Sequence, residues 1–376
     1  MKITAVDVFP LRLPYRVAFT IARGSVGSPD EGAPHIYLRI TADDGSTGWG
    51  EARPSHRWSY ETEESVVSTL RNYLSPLLIG MNPADIAGIH HEMDRMIAPG
   101  TSTGQPIAKC AVDVALHDLV SRAHGMNVQE LFGARGPQTI NLVWTISDHT
   151  PDGAAKIAAK AIADGYRSVK VKLGISPEMD REILTAVKEV TGDAHVWADA
   201  NQAYTFDYAR SVVRTCEKLG IDVLEQPLPV NDLPGMARLA ATSGIPLALD
   251  ESVWSPEDLM QAIRIGALDI LVVKISKMAG LRRVRQSIEM AQSAGLGVLG
   301  SSLTESAVGF IAAAHLNSAY NILYSDLNGF QFLADGPAHD QISIVNGTVE
   351  LPQGHGLGIE VAEQDVRRFL APSEKG

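Results

Sequence analysis

The sequence predicts an α/β barrel that carries a smaller α+β domain, and three observations predict it. From about residue 134 onward, short apolar runs alternate with helical patterns, which is the grammar of βα units. Five of those runs end in an acid or a lysine: Val169–Lys172, Trp197–Asp199, Val223–Glu225, Leu247–Asp250 and Val272–Lys274. Their ends are 27, 26, 25 and 24 residues apart, from Lys172 through Asp199, Glu225 and Asp250 to Lys274. That interval holds one strand, one helix and two loops. In a (β/α)8 barrel the C-terminal ends of the strands form one ring, so three carboxylates are expected side by side with a lysine on each flank. At 376 residues, the chain also exceeds a single ordinary core.

Taken in order, Val6, Val8 and Pro10 lead a first strand. His35–Ile40 and Thr47–Glu51 form a hairpin around the turn Asp43-Asp44-Gly45. Between them, Arg23 to Ala33 holds three glycines and reads as a mobile loop. From Glu61 to Leu131 the apolar period becomes helical, most clearly over Ile107–Leu116. An α+β capping domain is therefore expected over 1–133 and the barrel over 134–335. A tail of strands and turns, 336–376, is expected to pack back on the cap. Barrel strand one is read at Ile140–Trp144, strand seven at Gly297–Ser301, and strand eight ends near Asp326. Ser176-Pro177-Glu178 and Ser255-Pro256-Glu257 each combine a serine cap, a proline at the first helical position and an acid near the positive helix end.

Composition narrows the class. Net charge is −12, from 32 basic and 44 acidic residues, which disfavours nucleic acid and anionic membranes as partners. No run of 18 apolar residues marks a membrane span. The N-terminus reads as a strand without a signal-peptide core. The two cysteines, Cys110 and Cys216, fall in helical patterns as buried thiols. These features together predict a cytoplasmic protein.

Asp199, Glu225 and Asp250 are hard oxygen ligands suited to Mg²⁺ or Mn²⁺. No His or Cys ends these strands, which argues against zinc. Capping of helices would explain one acid alone. Three neighbouring acids without a cation would repel one another. Asn201 and Glu251 follow two of the ligands and are expected to orient them. Lys172 and Lys274 follow β-branched strands and point into the barrel mouth, where burial and a nearby cation lower a lysine pKa toward that of a working base. Two lysines on opposite faces of one substrate allow a carbon proton to leave one face and return on the other. Ion pairing with the acids is the plainer role for each. Lys170 shares a strand face with Lys172 and is expected to stabilise the enolate oxygen. A Schiff-base lysine needs no acid cluster, so the three carboxylates argue against aldolase chemistry.

The segments Lys170-Val171-Lys172, Ala198–Ala203, Leu224–Leu228, Asp250-Glu251-Ser252 and Lys274–Lys277 resemble the enolase superfamily. The lysine-x-lysine pair and the lysine on strand six are similar to its muconate lactonizing enzyme subgroup. Gly48-Trp49-Gly50-Glu51 and Gly356-Leu357-Gly358 extend the likeness over nearly the whole chain. The resemblance implies a capping domain, a modified (β/α)7β barrel, Mg²⁺, a small-molecule carboxylate substrate, an enediolate intermediate and a homo-oligomer. It makes Asp199, Glu225 and Asp250 the ligands and Lys172 and Lys274 the acid/base pair. Mandelate racemase and sugar-acid dehydratase branches want a histidine ending strand seven, where this chain has Gly300–Glu305. Dipeptide epimerases of the subgroup carry Asp-x-Asp after strand eight, where this chain has Asp326-Leu327-Asn328. One carboxylate is thus an amide, which suits an N-acylated amino acid better than a free dipeptide. Asp326, Asn328, Ser302, Glu305 and Arg23 are the substrate-binding candidates, and the loop Ser55–Tyr60 adds a cation and two aromatics. The expected activity is racemisation or epimerisation of an amino-acid derivative or dipeptide. A muconate-type cycloisomerase, or a syn-dehydratase of a β-hydroxy acid, is the alternative.

Overall fold

The computed structural model describes residues 1–21, 23–100, 103–134 and 136–374. Arg135, at the junction where the sequence changes grammar, lies outside them. Alternation in the first 52 positions forms β1 (Ile3–Leu13), β2 (Phe19–Ile21), β3 (Gly24–Gly27), β4 (Ala33–Ala42) and β5 (Thr47–Ala52). The cap sheet is antiparallel in the order β1-β4-β5. The stretch read as a loop from Arg23 holds a strand: β2 and β3 pair as a small hairpin, because Phe19 and Ile21 alternate inward and are buried. Helices α1 (Glu63–Thr69), α2 (Ser75–Leu78), α3 (Ile86–Met96), α4 (Pro106–Ala123) and α5 (Val128–Leu131) follow. Every residue of α4 from Pro106 to Ser121 is buried, and its charged side chains are paired, Lys109 with Asp94 and Asp113 with His90 and His117, as burial of charge requires. β5 lies directly on it because Gly50 has no side chain. A Cβ there would stand 1.8 Å from the Ala111 carbonyl oxygen.

After β6 (Thr139–Asn141), eight parallel strands form the barrel: β7 (Trp144–Ile146), β8 (Ser168–Lys172), β9 (His195–Asp199), β10 (Val223–Glu225), β11 (Leu247–Leu249), β12 (Ile270–Val273), β13 (Gly297–Ser301) and β14 (Ser325–Asp326). Between them lie α6 (Pro151–Ala163), α7 (Pro177–Thr191), α8 (Phe206–Leu219), α9 (Leu233–Ala240), α10 (Pro256–Ile265), α11 (Leu281–Ser293) and α12 (Ala307–Ala319). The expected caps form: Ser176 accepts from the Met179 N–H at 3.2 Å and Ser255 from the Asp258 N–H at 3.1 Å. The ring closes where the Val143 N–H donates to the Ser325 carbonyl at 3.0 Å. In place of an eighth barrel helix, a single helical turn, α13 (Gly329–Phe332), comes directly after the last strand, and the next α-helix, α14 (Glu363–Arg368), lies in the tail, so the architecture is (β/α)7β, as the resemblance implied.

The segment read as strand one divides. Its first half, β6, pairs with a hairpin from the tail, β15 (Ile344–Val345) and β16 (Thr348–Glu350), and only the second half enters the barrel. The tail therefore serves both parts. Its hairpin pairs with β6, the strand that leads into the barrel, and its last residues return to the cap, where the Ala371 N–H donates to the Pro10 carbonyl at 2.9 Å. Inside the barrel, Val143, Trp197, Val223, Ala248, Val272 and Leu299 form one packed layer. Strand side chains alternate with a period of two, so Thr145, Asp199, Glu225, Asp250, Lys274 and Ser301 stand one step above that layer, at the C-terminal mouth.

Candidate active site

Strand register brings the polar ring together. Lys172 pairs with Asp199 across β8 and β9, and Asp199 with Glu225 across β9 and β10. Asp250 and Lys274 each follow their strand by one residue. Around eight strands, β8 and β12 are four apart, so Lys172 and Lys274 stand on opposite sides of the mouth.

Lys172 Nζ lies 2.6 Å from Asp199 Oδ2 and donates to Asn201 Oδ1 at 3.1 Å. Lys274 Nζ lies 2.6 Å from Asp250 Oδ2. Lys170 is enclosed by Glu225 at 2.8 Å, Asp199 at 3.1 Å and Asp326 at 3.2 Å, and none of these contacts has the alignment of a hydrogen bond. Beneath it, the Trp197 ring centroid is 4.2 Å away. Burial alone would lower Lys170, but Asp199, Glu225 and Asp326 raise it well above the usual lysine value, so it stays an ammonium. Burial likewise works against Lys274, and Asp250 raises it.

The acids diverge. Burial raises carboxyl pKa values, yet Lys170 and Lys172 hold Asp199 down to about 2, and Lys274 and Lys277 hold Asp250 well below the usual range. Burial followed by the charge of Asp199 pushes Glu225 well up. Lys170 does not reverse this, because it is shared among three carboxylates. Burial and Asp250 raise Glu251, whose Oε1 accepts from Asn201 Nδ2 at 2.9 Å. Both oxygens of Glu225 and Oε2 of Glu251 are buried without a hydrogen-bond donor among the described residues. One oxygen each from Glu225, Asp250 and Glu251 lie within 4.8 Å of one another. Unsatisfied hard oxygens at that spacing fit a divalent cation. Relative to the expected set, Glu251 stands in this close group, while Asp199 is drawn toward the lysines.

The sequence reading missed Lys277. It is fully buried and donates to Asp250 Oδ1 at 2.8 Å, the Asp250 carbonyl at 2.6 Å and the Val272 carbonyl at 2.8 Å. Burial lowers its pKa against the pull of Asp250. Its spacing, three residues beyond Lys274, falls in a turn with no periodic signal.

The mouth holds a cavity of about 20 Å³ lined by Lys170, Lys172, Lys274, Asp326, Asn328, Ser302 and the lid residues Phe19, Ile21, Val26 and Trp58. That is room for about one water, with the cap segments lying over the lysines. A larger groove, about 770 Å³, opens beside β7 and contains none of the lysines. Asp326 accepts from Thr145 Oγ1 at 2.7 Å, Ser301 Oγ at 3.2 Å and Asn328 Nδ2 at 3.2 Å. The amide oxygen of Asn328 accepts from Ser302 at 3.2 Å. Both residues at the positions of the Asp-x-Asp pair are thus engaged internally. Glu305 accepts from Ser276 Oγ at 2.6 Å and the Leu303 N–H at 2.6 Å. It does not line the cavity, and neither does Arg23, which donates to Gln202 at 3.2 Å on the exposed rim.

Residues 3–133 match the family model described as mandelate racemase / muconate lactonizing enzyme, N-terminal domain, and residues 153–365 match enolase C-terminal domain-like. The chain is 32% identical over 374 residues to the N-succinyl-L-Arg/Lys racemase of Bacillus cereus, covering 98% of each. The crystal structure of that racemase superposes with a TM-score of 0.92 over 99% of this chain and 98% of that one, at 30% identity. The 2-chloromuconate cycloisomerase of Rhodococcus opacus gives 0.92 at 26% identity, over 99% and 100% of the two chains. The dipeptide epimerase of Enterococcus faecalis, complexed with Mg and L-Leu-L-Tyr, gives 0.88 at 27% identity, over 96% and 100%.

Proposed function

The chain belongs to the mandelate racemase / muconate lactonizing enzyme family of the enolase superfamily, and from that premise we propose that it is a Mg²⁺-dependent racemase or epimerase of N-acylated amino acids. The observation that carries this reading is the pair Lys172 and Lys274, on opposite sides of one cavity and each seated against a strand-end carboxylate. Asp199, Glu225 and Asp250 would hold the ion, with Glu251 beside them. A divalent cation held there would supply positive charge toward the substrate carboxylate. One lysine Nζ then takes the proton α to the carboxylate, and the opposite ammonium returns a proton to the other face. Lys170 remains charged and faces the enediolate oxygen. The closed lid excludes water while the carbanion character persists. The internal engagement of Asp326 and Asn328 supports an acylated rather than a free amino group.

The test is incubation with Mg²⁺ in D₂O against pooled N-succinyl and N-acetyl amino acids and dipeptides. The expected result is a gain of about one dalton with loss of optical purity, abolished by EDTA. Lys172→Ala and Lys274→Ala should each stop racemisation yet retain α-proton exchange from one enantiomer. Full racemisation by either variant would overturn the two-base reading. No exchange in any pool, with loss of diene absorbance from a muconate or release of water from a β-hydroxy acid, would establish cycloisomerase or dehydratase chemistry instead.

A further inference from the structure

The two cavity lysines are held differently. Lys172 has two oxygen anchors, Asp199 at 2.6 Å and Asn201 at 3.1 Å, both from the barrel. Lys274 has one, Asp250 at 2.6 Å. Its other flank is the indole face of Trp58, whose ring centroid is 4.1 Å from Nζ. An ammonium at that distance from an indole is attracted by the ring quadrupole, most strongly where water is excluded, and Trp58 is 8% exposed. Trp58 belongs to the cap, so the barrel alone does not fix Lys274.

The local chain holds the indole in place. The Trp58 and Ser59 N–H groups both donate to the Ser55 carbonyl, at 2.9 and 2.8 Å, in a tight turn. Three residues beyond Trp58, Glu61 accepts from the Ile107 and Ala108 N–H groups at 2.8 and 3.1 Å, tying the segment to the start of α4. On the barrel side, Trp58 packs against Trp254 with centroids 5.3 Å apart. Trp254 in turn donates its indole N–H to the Glu251 carbonyl at 2.7 Å. Tyr60 of the same segment also lies against Trp254, with centroids 6.0 Å apart, so the lid segment docks through two aromatic contacts on the loop that follows Asp250.

We propose that Trp58 is a positioning residue for Lys274, so that proton transfer on the Lys274 face of the substrate depends on the seated lid while transfer on the Lys172 face does not. This inference rests on the two-lysine reading above. Withdrawal of the lid removes one of the two groups that fix Lys274 and leaves both anchors of Lys172 in place. The two directions of racemisation therefore respond unequally to any change at Trp58.

The experiment compares wild type, Trp58→Leu and Trp58→Phe in D₂O with Mg²⁺. It uses both enantiomers of whichever acid the wild type exchanges fastest in the pooled screen. Lys172→Ala and Lys274→Ala assign each enantiomer to its lysine. Trp58→Leu, which removes the aromatic face, should slow exchange from the Lys274 enantiomer at least tenfold and from the Lys172 enantiomer less than twofold. Trp58→Phe, which keeps a ring, should restore most of the loss. Equal slowing of both enantiomers, as general damage to the lid would give, overturns the inference, and so does no slowing of either. No exchange by wild type on any acid overturns the two-lysine reading itself, and the inference falls with it.

Discussion

Three acceptors converge on the ammonium of Lys277, two of them main-chain carbonyls and the third the carboxylate of Asp250. The side chain does not line the cavity at the barrel mouth, and its work is to hold Asp250 Oδ1 while Lys274 meets Oδ2. Removing Lys277 leaves Asp250 with Lys274 alone and takes the donor from two buried carbonyls; breaking a buried, hydrogen-bonded charge pair costs about 3–5 kcal/mol. Lys277→Met is therefore expected to lower the unfolding free energy by roughly that amount, read by guanidinium titration. A change below about 1 kcal/mol would show that Asp250 finds compensation elsewhere. At this scale the sequence was uneven. Lys172 and Lys274 were legible because each closes an apolar strand, and Lys170 because the period of two puts it on the same face as Lys172. Asp326 was legible as a site residue, but not its engagement by Thr145, 181 residues away.

Elements in this fold are joined by groups that local pattern does not reveal. Ser306 precedes α12 and makes no side-chain cap bond. The cap's Glu51 serves instead, accepting from the Ser306 and Gly309 N–H groups at 2.8 Å each. A carboxylate at a helix N-terminus is favourable, and here it also fastens the cap to the barrel. The serine caps of α7 and α10 were readable because cap and helix are neighbours in sequence; Glu51 and α12 are not. The glycines beside Glu51 have a related explanation. Gly50→Ala would drive a Cβ into the Ala111 carbonyl, backbone against backbone, and overpacking of that kind costs about 3 kcal/mol. Gly100, where an added Cβ would meet nothing within 4 Å, is the control. Thermal melts should show a large loss for Gly50→Ala and almost none for Gly100→Ala. Similar losses in both would remove close packing as the reason for the motif.

For the molecule as a whole, the joined cap and barrel bury histidines that the unfolded chain exposes. Burial lowers His35, in β4, and His315, in α12, from 6.5 to about 4. Their folded-state values lie below the unfolded ones, so the unfolded chain binds more protons. The stability each contributes is complete above about pH 6.5 and is lost as pH falls toward 4. Between pH 7.5 and pH 5 each withdraws roughly 2 kcal/mol. Replacing His315 with a non-titrating residue, His315→Asn, should reduce the difference between unfolding free energies at those two pH values by about that much. An unchanged difference would show that His315 is not the titrating group. Among the described residues no helix is long and apolar enough to cross a membrane.

By itself, the sequence determined the barrel, the order of its strands and the identity of the residues at their ends. Alternation within a strand and the near-constant interval between strands are properties of neighbouring residues, and the chain carries them locally. Tertiary structure alone decided which oxygens converge, that Lys277 supports Asp250, that Glu51 caps α12, that Asp326 is engaged internally and that Trp58 lies over Lys274. Each of those depends on a contact between segments far apart in the chain, and only the closed, twisted ring with its seated cap brings such segments within hydrogen-bonding or van der Waals distance.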